Sequence, residues 1–450
     1  MALAPHIQAI IDAGGKVYEV GGVVRDRLLG LPSKDADLLV TGVAADALQK
    51  LLRKLGSVHA VGQHFGVLKF RPEGHDGEPI DVALPRREKS TGVGHRDFEV
   101  QFDPAIPVEE DLGRRDFTVN AIAQECATGA FVDPFGGRAD LEKRLLRMVF
   151  PKAFEEDPLR ILRGIQFVAR FKLKVEPDTL AAMKANADKI TTVSMERVAQ
   201  EIAKALRAEK PSVGFYLMRE VGVMKHVLPE LEALTGVTQP GKGGVGDAFD
   251  HTMRVIDAAR ADQALEHAGD IDLMLAALFH DLGKATTRKE EAGGRVTFHG
   301  HQFVSKKLAR RRMEALKLSQ IGANTDDVLT LVENHMFDTG PEFTDKALRR
   351  FARKIGPQLV FKQIDLRIAD NRGGAHPNNI KKHLNLRRRI RNELERKAPF
   401  GLKDLAIDGN DLIALGYAPG PKIGEKLKEL LELVLDEPSL NTREELLKRV

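Results

Sequence analysis

Asp35 and Asp37 stand two residues apart, just ahead of the apolar run Leu38-Leu39-Val40, in the segment GGVVRDRLLGLPSKDADLLV (21–40). On an extended strand, residues i and i+2 point to the same side, so the two carboxylates converge and repel. A divalent cation relieves that repulsion. In phosphoryl transfer the ion is usually Mg²⁺, and a pair of ions about 3.5–4 Å apart can activate an attacking hydroxyl and stabilise a leaving oxygen. A third carboxylate normally helps to hold the pair; Asp81, flanked by apolar residues in IDVAL, is the candidate, with Glu78 in reserve. Gly21 and Gly22 fall between a strand and a helix, where backbone without side chains can approach a triphosphate and offer N–H groups. An Asp-x-Asp alone is commonly a solvated turn, but these glycines, Arg25 and the apolar strand favour a metal site.

Three further segments carry chemistry. In RRDFTVNA (114–121), Arg114 and Arg115 offer fork-shaped donors suited to phosphate, while Asp116 and Asn120, four apart, are expected to share a helical face. In EEDPLRILRGIQFVARF (155–171), Asp157 and Arg160 are three apart and are expected to project from one helical face, with Arg163 a turn further and Glu156 placed to orient Arg160. The plainer alternative for both is a charged helix start. His280 and Asp281, adjacent at an expected helix end, combine imidazole and carboxylate, a common ligand set for divalent metals.

The order Gly-Gly-x-x-Arg-Asp then Asp-x-Asp resembles the signature of the DNA polymerase β superfamily, in the branch of bacterial tRNA nucleotidyltransferases and bacterial poly(A) polymerases. The resemblance implies that Arg114, Arg115, Asp116 and Asn120 contact the phosphates and ribose of an incoming nucleotide. It also implies that Asp157 and Arg160 read its base. A carboxylate accepts from an exocyclic amino group and a guanidinium donates to ring acceptors; C and A both present an amino group beside an acceptor nitrogen, so such a pair selects CTP and ATP without a nucleic-acid template. Residues 83–104 look like the family's flexible loop that supports the switch from C to A, or else a surface hairpin with no catalytic part. In the second half, DHTMRV (250–255), LFHDLGKA (278–285) and RIADNRG (367–373) resemble the HD superfamily of metal phosphohydrolases. That likeness implies His251, His280, Asp281 and Asp370 as metal ligands, His301 and His335 as a second position, and a phosphate contact for Lys284.

These residues need positioning elements. Segments 17–24, 37–41, 57–61, 66–71 and 79–84 are short and β-branched and read as strands, and helical periodicity appears at 23–29 and 43–55. A mixed sheet with helices on one face is expected, followed from about residue 140 by an almost wholly helical body. The resulting fold class is α+β: a polymerase β-like head (1–140), a helical neck (141–230), a helical HD domain (231–396) and a helical tail (397–450).

At 450 residues the chain can bury several cores, and 42% hydrophobic with 30% charged residues is a globular balance. The formal charge is only +4, yet basic clusters concentrate at 306–312, 348–354 and 379–397 and fit phosphate contacts, or else solvated helix faces with internal ion pairs. Cys126, the single cysteine, excludes an internal disulfide and a thiolate cluster. No apolar run approaches the roughly 20 residues that cross a bilayer, and the first residues read as a short helix, so a cytoplasmic location is expected. The expected function is Mg²⁺-dependent addition of CCA, or of its terminal A, to the tRNA 3′ end from CTP and ATP, with an HD-site metal and hydrolase activity. A bacterial poly(A) polymerase is the nearest alternative, and a pure HD phosphohydrolase the alternative of another class.

Overall fold

The computed structural model describes residues 3–32, 37–61, 66–90, 98–239, 246–337, 343–375, 377–395 and 401–450. The chain folds as two compact units, Met1–Ala208 with Val213–Val227, and Glu209–Ser212 with Leu228–Val450.

In the first unit, α1 (Pro5–Asp12), β1 (Lys16–Val20), α2 (Gly22–Leu28), β2 (Asp37–Thr41), α3 (Ala45–Leu52), β3 (Gly56–Val61), β4 (Val67–Pro72) and β5 (Ile80–Ala83) are followed by a hairpin, β6 (Arg86–Ser90) and β7 (Phe98–Phe102). Helix α4 (Val108–Gly113), β8 (Ala123–Glu125) and β9 (Phe131–Val132) complete the head. The main sheet has the order β3-β4-β5-β2-β1-β8-β9 and is mixed, because β2 and β5 run parallel while the other pairs are antiparallel. Alternation sets the two faces. Leu38, Val40 and Val82 pack with Ile10, Leu48 and Leu52 of α1 and α3. Leu39 packs on the opposite face with Tyr18, Val108 and Leu112. Helices were expected on one face only; α4 covers the second, its apolar Val108 and Leu112 being spaced four apart.

Two further expectations need correction. The strand expected over 17–24 ends at Val20, since Gly21 takes φ +69° and α2 starts at Gly22. A Cβ at Gly21 would stand 2.5 Å from Arg115 Nη1, so both the conformation and the close approach require glycine. Residues 83–104, which show little periodicity, contain the β6–β7 hairpin, paired from Arg86↔Phe102 to Ser90↔Phe98. The remaining 91–97 lie outside the described residues. Beyond the head, this unit is helical, with α5 (Leu159–Phe171) packed on α6 (Met195–Leu206).

The second unit is built from α7 (Ala248–Ala261), α8 (Ile271–Phe279), α9 (His301–Ala315), α10 (Thr325–Glu333), α11 (Asp345–Ile355), α12 (Val360–Gly373), α13 (Lys381–Glu395) and α14 (Pro421–Asp436). Residues 272–279 of α8 are all buried, the pattern of a central helix surrounded by others. A reciprocal cap between Asp247 and Asp250 starts α7, and Asp270 and Asn324 cap α8 and α10. The C-terminal segment has its own cluster of Leu405, Ile407, Leu412, Leu430, Leu431, Val434, Leu435 and Leu446. No helix among the described residues is long and apolar enough to cross a membrane.

Much of the basic charge expected to meet phosphate is neutralised internally. In the 348–354 cluster, Arg349 pairs with Glu393, and Arg350 and Arg353 pair with Glu432. Lys306 and Arg312 pair with Glu333 and Glu230, and Arg387, Arg389 and Arg391 with Asp365, Asp345 and Glu266. Lys307, Arg310 and Arg311 remain exposed on α9.

Candidate active site and metal centre

The first unit gathers acidic and basic groups on the α4 face of its sheet. Parallel pairing sets Asp37 directly beside Asp81, with Leu38 beside Val82 and Leu39 beside Ala83. Neighbouring strands lie about 4.8 Å apart, so the two carboxylates are adjacent and demand a counter-charge. The third carboxylate expected from sequence is thus the one the register places at Asp37; Glu78 precedes the strand. Asp35, expected to converge with Asp37, lies outside the described residues.

Asp111, fully buried at the end of α4, was missed in the sequence although it holds the arginine fork. Its Oδ1 accepts from Arg114 Nε at 3.0 Å and Nη2 at 2.7 Å, and its Oδ2 from Arg115 Nη2 at 3.4 Å. The acid-to-arginine spacings of three and four were the available signal. Asp116 and Asn120 do come together, by a different route from the shared helical face expected: only Thr118–Asn120 forms a short 3₁₀ turn, and Asn120 Nδ2 donates to Asp116 Oδ1 at 2.9 Å. The chain of contacts continues both ways. Arg25 Nη1 donates to Asn120 Oδ1 at 2.7 Å, and Arg163 Nε donates to Asp116 Oδ2 at 2.7 Å. Burial alone would raise the Asp116 carboxyl, but the charge of Arg163 and the hydrogen bonds from Asn120 and Arg163 hold it below the usual carboxylate range.

Arg25 is buried, with its guanidinium 4.3 Å from the Phe171 ring centroid and 5.0 Å from that of Phe167. That places it behind Asn120, as a strut. Asp157 does not share a helical face with Arg160. It ends the short helix Ala153–Glu156 in an extended conformation (φ −137°), because Pro158 restricts the residue before it, and α5 begins two residues later. The turn still brings the two close, with Arg160 N donating to Asp157 O at 3.0 Å. Arg160 Nη2 donates to Arg114 O at 2.9 Å, linking the start of α5 to the fork, and Glu156 stands 3.9 Å from Arg160. Arg197 of α6 pairs with Asp157 Oδ2 at 2.8 Å. Nothing in the local pattern around Arg197 marked it.

The second unit brings every expected HD residue into one buried cluster. His251 comes from α7, His280 and Asp281 from the end of α8, His301 from the start of α9, His335 from just beyond α10 and Asp370 from α12. The Nδ1 atoms of His251, His280, His301 and His335 lie 3.1, 2.8, 2.8 and 2.7 Å from the carbonyls of Gly373, Ala277, Phe298 and Val332. A carbonyl only accepts, so each Nδ1 carries a proton and each ring turns its Nε2 inward as the atom left to ligate. His301 Nε2 and His335 Nε2 face each other at 3.1 Å, and both lie near Asp281 Oδ1, at 3.2 and 3.7 Å. On the other side, Asp281 Oδ2 lies 3.1 Å from His280 Nε2, and Asp370 Oδ1 lies 3.0 Å from His251 Nε2.

Facing lone pairs and carboxylates repel unless a cation lies between them, so the donor set fits divalent metal. Two groups have the required geometry, His251, His280 and Asp281, and Asp281, His301 and His335, sharing Asp281 as a bridge. Lys284 Nζ stands 2.5 Å from Asp281 Oδ2 and donates to Gln239 Oε1 at 2.7 Å. Burial opposes ionisation of Asp281, but His280 and Lys284 hold it well below the usual range. Burial, reinforced by His280, pushes the His335 imidazole down to about 3, so it stays neutral and able to ligate.

A sheet with paired carboxylates and arginine forks, joined in one chain to an imidazole–carboxylate metal module, defines the class: a nucleotidyltransferase head with an HD domain. Family patterns match in that order, the Poly A polymerase head domain over residues 17–147, the probable RNA and SrmB-binding site of polymerase A over 172–235, and the HD domain over 248–372. The chain is 39% identical over 323 residues to the multifunctional CCA protein of Nitrosomonas europaea, covering 71% of this chain and 73% of that protein. It is 44% identical over 276 residues to that of Chromobacterium violaceum, covering 60% and 63%. The chain belongs to the family of multifunctional CCA proteins. Its fold is also that of the Bacillus stearothermophilus CCA-adding enzyme crystallised with CTP, with a TM-score of 0.70 and 24% identity over 99% of this chain and 98% of that one.

Proposed function

We propose that this protein adds nucleotides to the 3′ end of tRNA, building CCA or its terminal A from CTP and ATP with Mg²⁺, and that its HD centre hydrolyses a phosphate ester. The observation that carries the first part is the in-register pair Asp37 and Asp81, in the same unit as the fork that Arg114 and Arg115 form on Asp111. In this reading Asp35, Asp37 and Asp81 hold the divalent ions, which supply charge neutralisation for in-line attack of the tRNA hydroxyl on the α-phosphate, with pyrophosphate leaving. Asp111 fixes the fork against the triphosphate. Asp116, Asn120, Arg25 and Arg163 hold the nucleotide pocket in shape, and Asp157 and Arg160 present an acceptor and a donor to the base. Gly21 and Gly22 leave room for phosphate at the start of α2.

For the HD centre, His251, His280, Asp281 and Asp370 would bind one divalent ion, and Asp281, His301 and His335 a second. A bound ion would lower the pKa of its water and so furnish a nucleophile at neutral pH. Lys284 is placed to meet a phosphate oxygen. The segments 1–140, 141–230, 231–396 and 397–450 serve as head, neck, HD domain and tail in this scheme, and a cytoplasmic location suits a tRNA substrate.

The test supplies tRNA ending in the discriminator base, in C or in CC, with each nucleotide singly and in combination. Stepwise CTP-dependent extension closed by a single A is the expected result. Extension of only the CC-ended tRNA would indicate an A-adding enzyme, and ATP-only extension of any RNA end would overturn the proposal in favour of poly(A) synthesis.

A further inference from the structure

Three neighbouring strands place a lysine in the same row as the two carboxylates. Lys69 on β4 is in register with Asp81 on β5, which is in register with Asp37 on β2. Lys69 Nζ meets Asp81 Oδ1 at 2.8 Å, and both side chains are roughly half-exposed, open to solvent and to an ion. Its ammonium hydrogen-bonds that carboxylate and adds a positive charge to the row. Arg114 and Arg115 are committed to Asp111.

Adjacent like charges on paired strands are destabilising, and a cross-strand cation relieves them. A divalent ion bound between Asp37 and Asp81 would occupy the surroundings of that ammonium. At such short range a divalent and a monovalent cation repel even with the full screening of water. The two cannot both keep their place beside Asp81 without cost.

We propose that Lys69 is an internal counter-ion of the head's divalent site. It holds Asp81 beside Asp37 while no divalent ion is bound and swings out when one binds, so metal uptake is an exchange of cations. Lys69 is a positioning residue, acting through Asp81, and this role rests on the reading of Asp37 and Asp81 as metal ligands. One consequence is a weakened affinity for free Mg²⁺, so that the ion binds well only together with the triphosphate that brings it. A simple structural ion pair would stabilise the sheet and leave metal affinity unaltered.

The test uses the full-length chain and Mn²⁺ binding followed by electron paramagnetic resonance, with Asp81→Asn as the control that removes the head's share of the bound ion. Lys69→Met should tighten head-site Mn²⁺ by about threefold or more, the scale of removing one half-exposed pair and one nearby charge. Lys69→Arg, which keeps the cation, should stay near wild type. Without metal, Lys69→Met should also lower the melting temperature of the head, and added Mn²⁺ should restore more of it than in wild type. Unchanged or weaker Mn²⁺ binding in Lys69→Met overturns the proposal while leaving the metal site standing. If Asp81→Asn binds as much Mn²⁺ as wild type, the metal reading itself fails and the counter-ion role goes with it.

Discussion

Two fully or nearly fully buried carboxylates organise the two centres by different electrostatics. Asp111 is neutralised by arginines, whose charge is permanent, and so forms a fixed mount for the phosphate-facing fork. Asp281 is surrounded by imidazoles and one lysine, and its charge is available to metal. The buried neutral histidines have a consequence for pH. The folded pKa of His335 is depressed to about 3 and that of His251 is also lowered, burial being the first cause in each, whereas an unfolded histidine takes a proton near pH 6.5. Below pH 6.5 the unfolded state therefore binds more protons, and stability falls as pH drops from about 6.5 towards 3; the depressed Asp281 acts in the same direction below about 3.8. For chelator-treated protein, urea unfolding of the HD unit should show a loss of the order of 2 kcal/mol from His335 alone between pH 7 and pH 5, reduced in His335→Gln. A stability that rises on acidification would contradict the buried neutral cluster. That His251, His280, Asp281, His301, His335 and Asp370 would come together was legible from residue type and order, because few residue types suit a metal. Arg197 and the strut role of Arg25 were not, since each depends on a neighbour forty or more positions away: Asp157 for the one, Asn120 and the Phe167 and Phe171 rings for the other.

At the scale of elements, strands and helices act as mounts whose register matters more than their ends. The parallel step from β2 to β5 joins Asp37 to a carboxylate forty-four residues later, and no local pattern contains that pairing. The second covering helix escaped because a short, charged segment such as VEEDLG carries little apolar signal. The basic clusters show a related limit: sequence located the charge of 348–354 and allowed for internal ion pairs, and packing identified Glu393 and Glu432 as the partners of Arg349, Arg350 and Arg353. Arg349 is the most buried of these, donating to the carbonyls of Leu435 at 2.7 Å and Asp436 at 3.3 Å at the end of α14 while pairing with Glu393. Removing it takes a charged donor away from Glu393 and from two helix-end carbonyls, so Arg349→Ala should cost about 3 kcal/mol in attachment of the C-terminal segment. Limited proteolysis should then cut ahead of α14 in the variant and spare the wild type; equal cleavage of both would show that the 405–446 core holds the segment by itself.

For the whole molecule, the chain carries two acidic centres in two separately packed units, each with its own ligands and its own lysine counter-charge. That separation makes the activities independently removable, and it gives the most direct measurement: the same preparations assayed for CTP- and ATP-dependent extension of tRNA and for metal-dependent phosphoester hydrolysis, with Asp81→Asn and His280→Ala compared to wild type. Asp81→Asn should lose tRNA extension by about a hundredfold or more while hydrolysis persists, as expected for loss of a group that stabilises transition-state charge. His280→Ala should show the reverse. Undiminished extension by Asp81→Asn would contradict the assignment of nucleotide transfer to the paired carboxylates of β2 and β5.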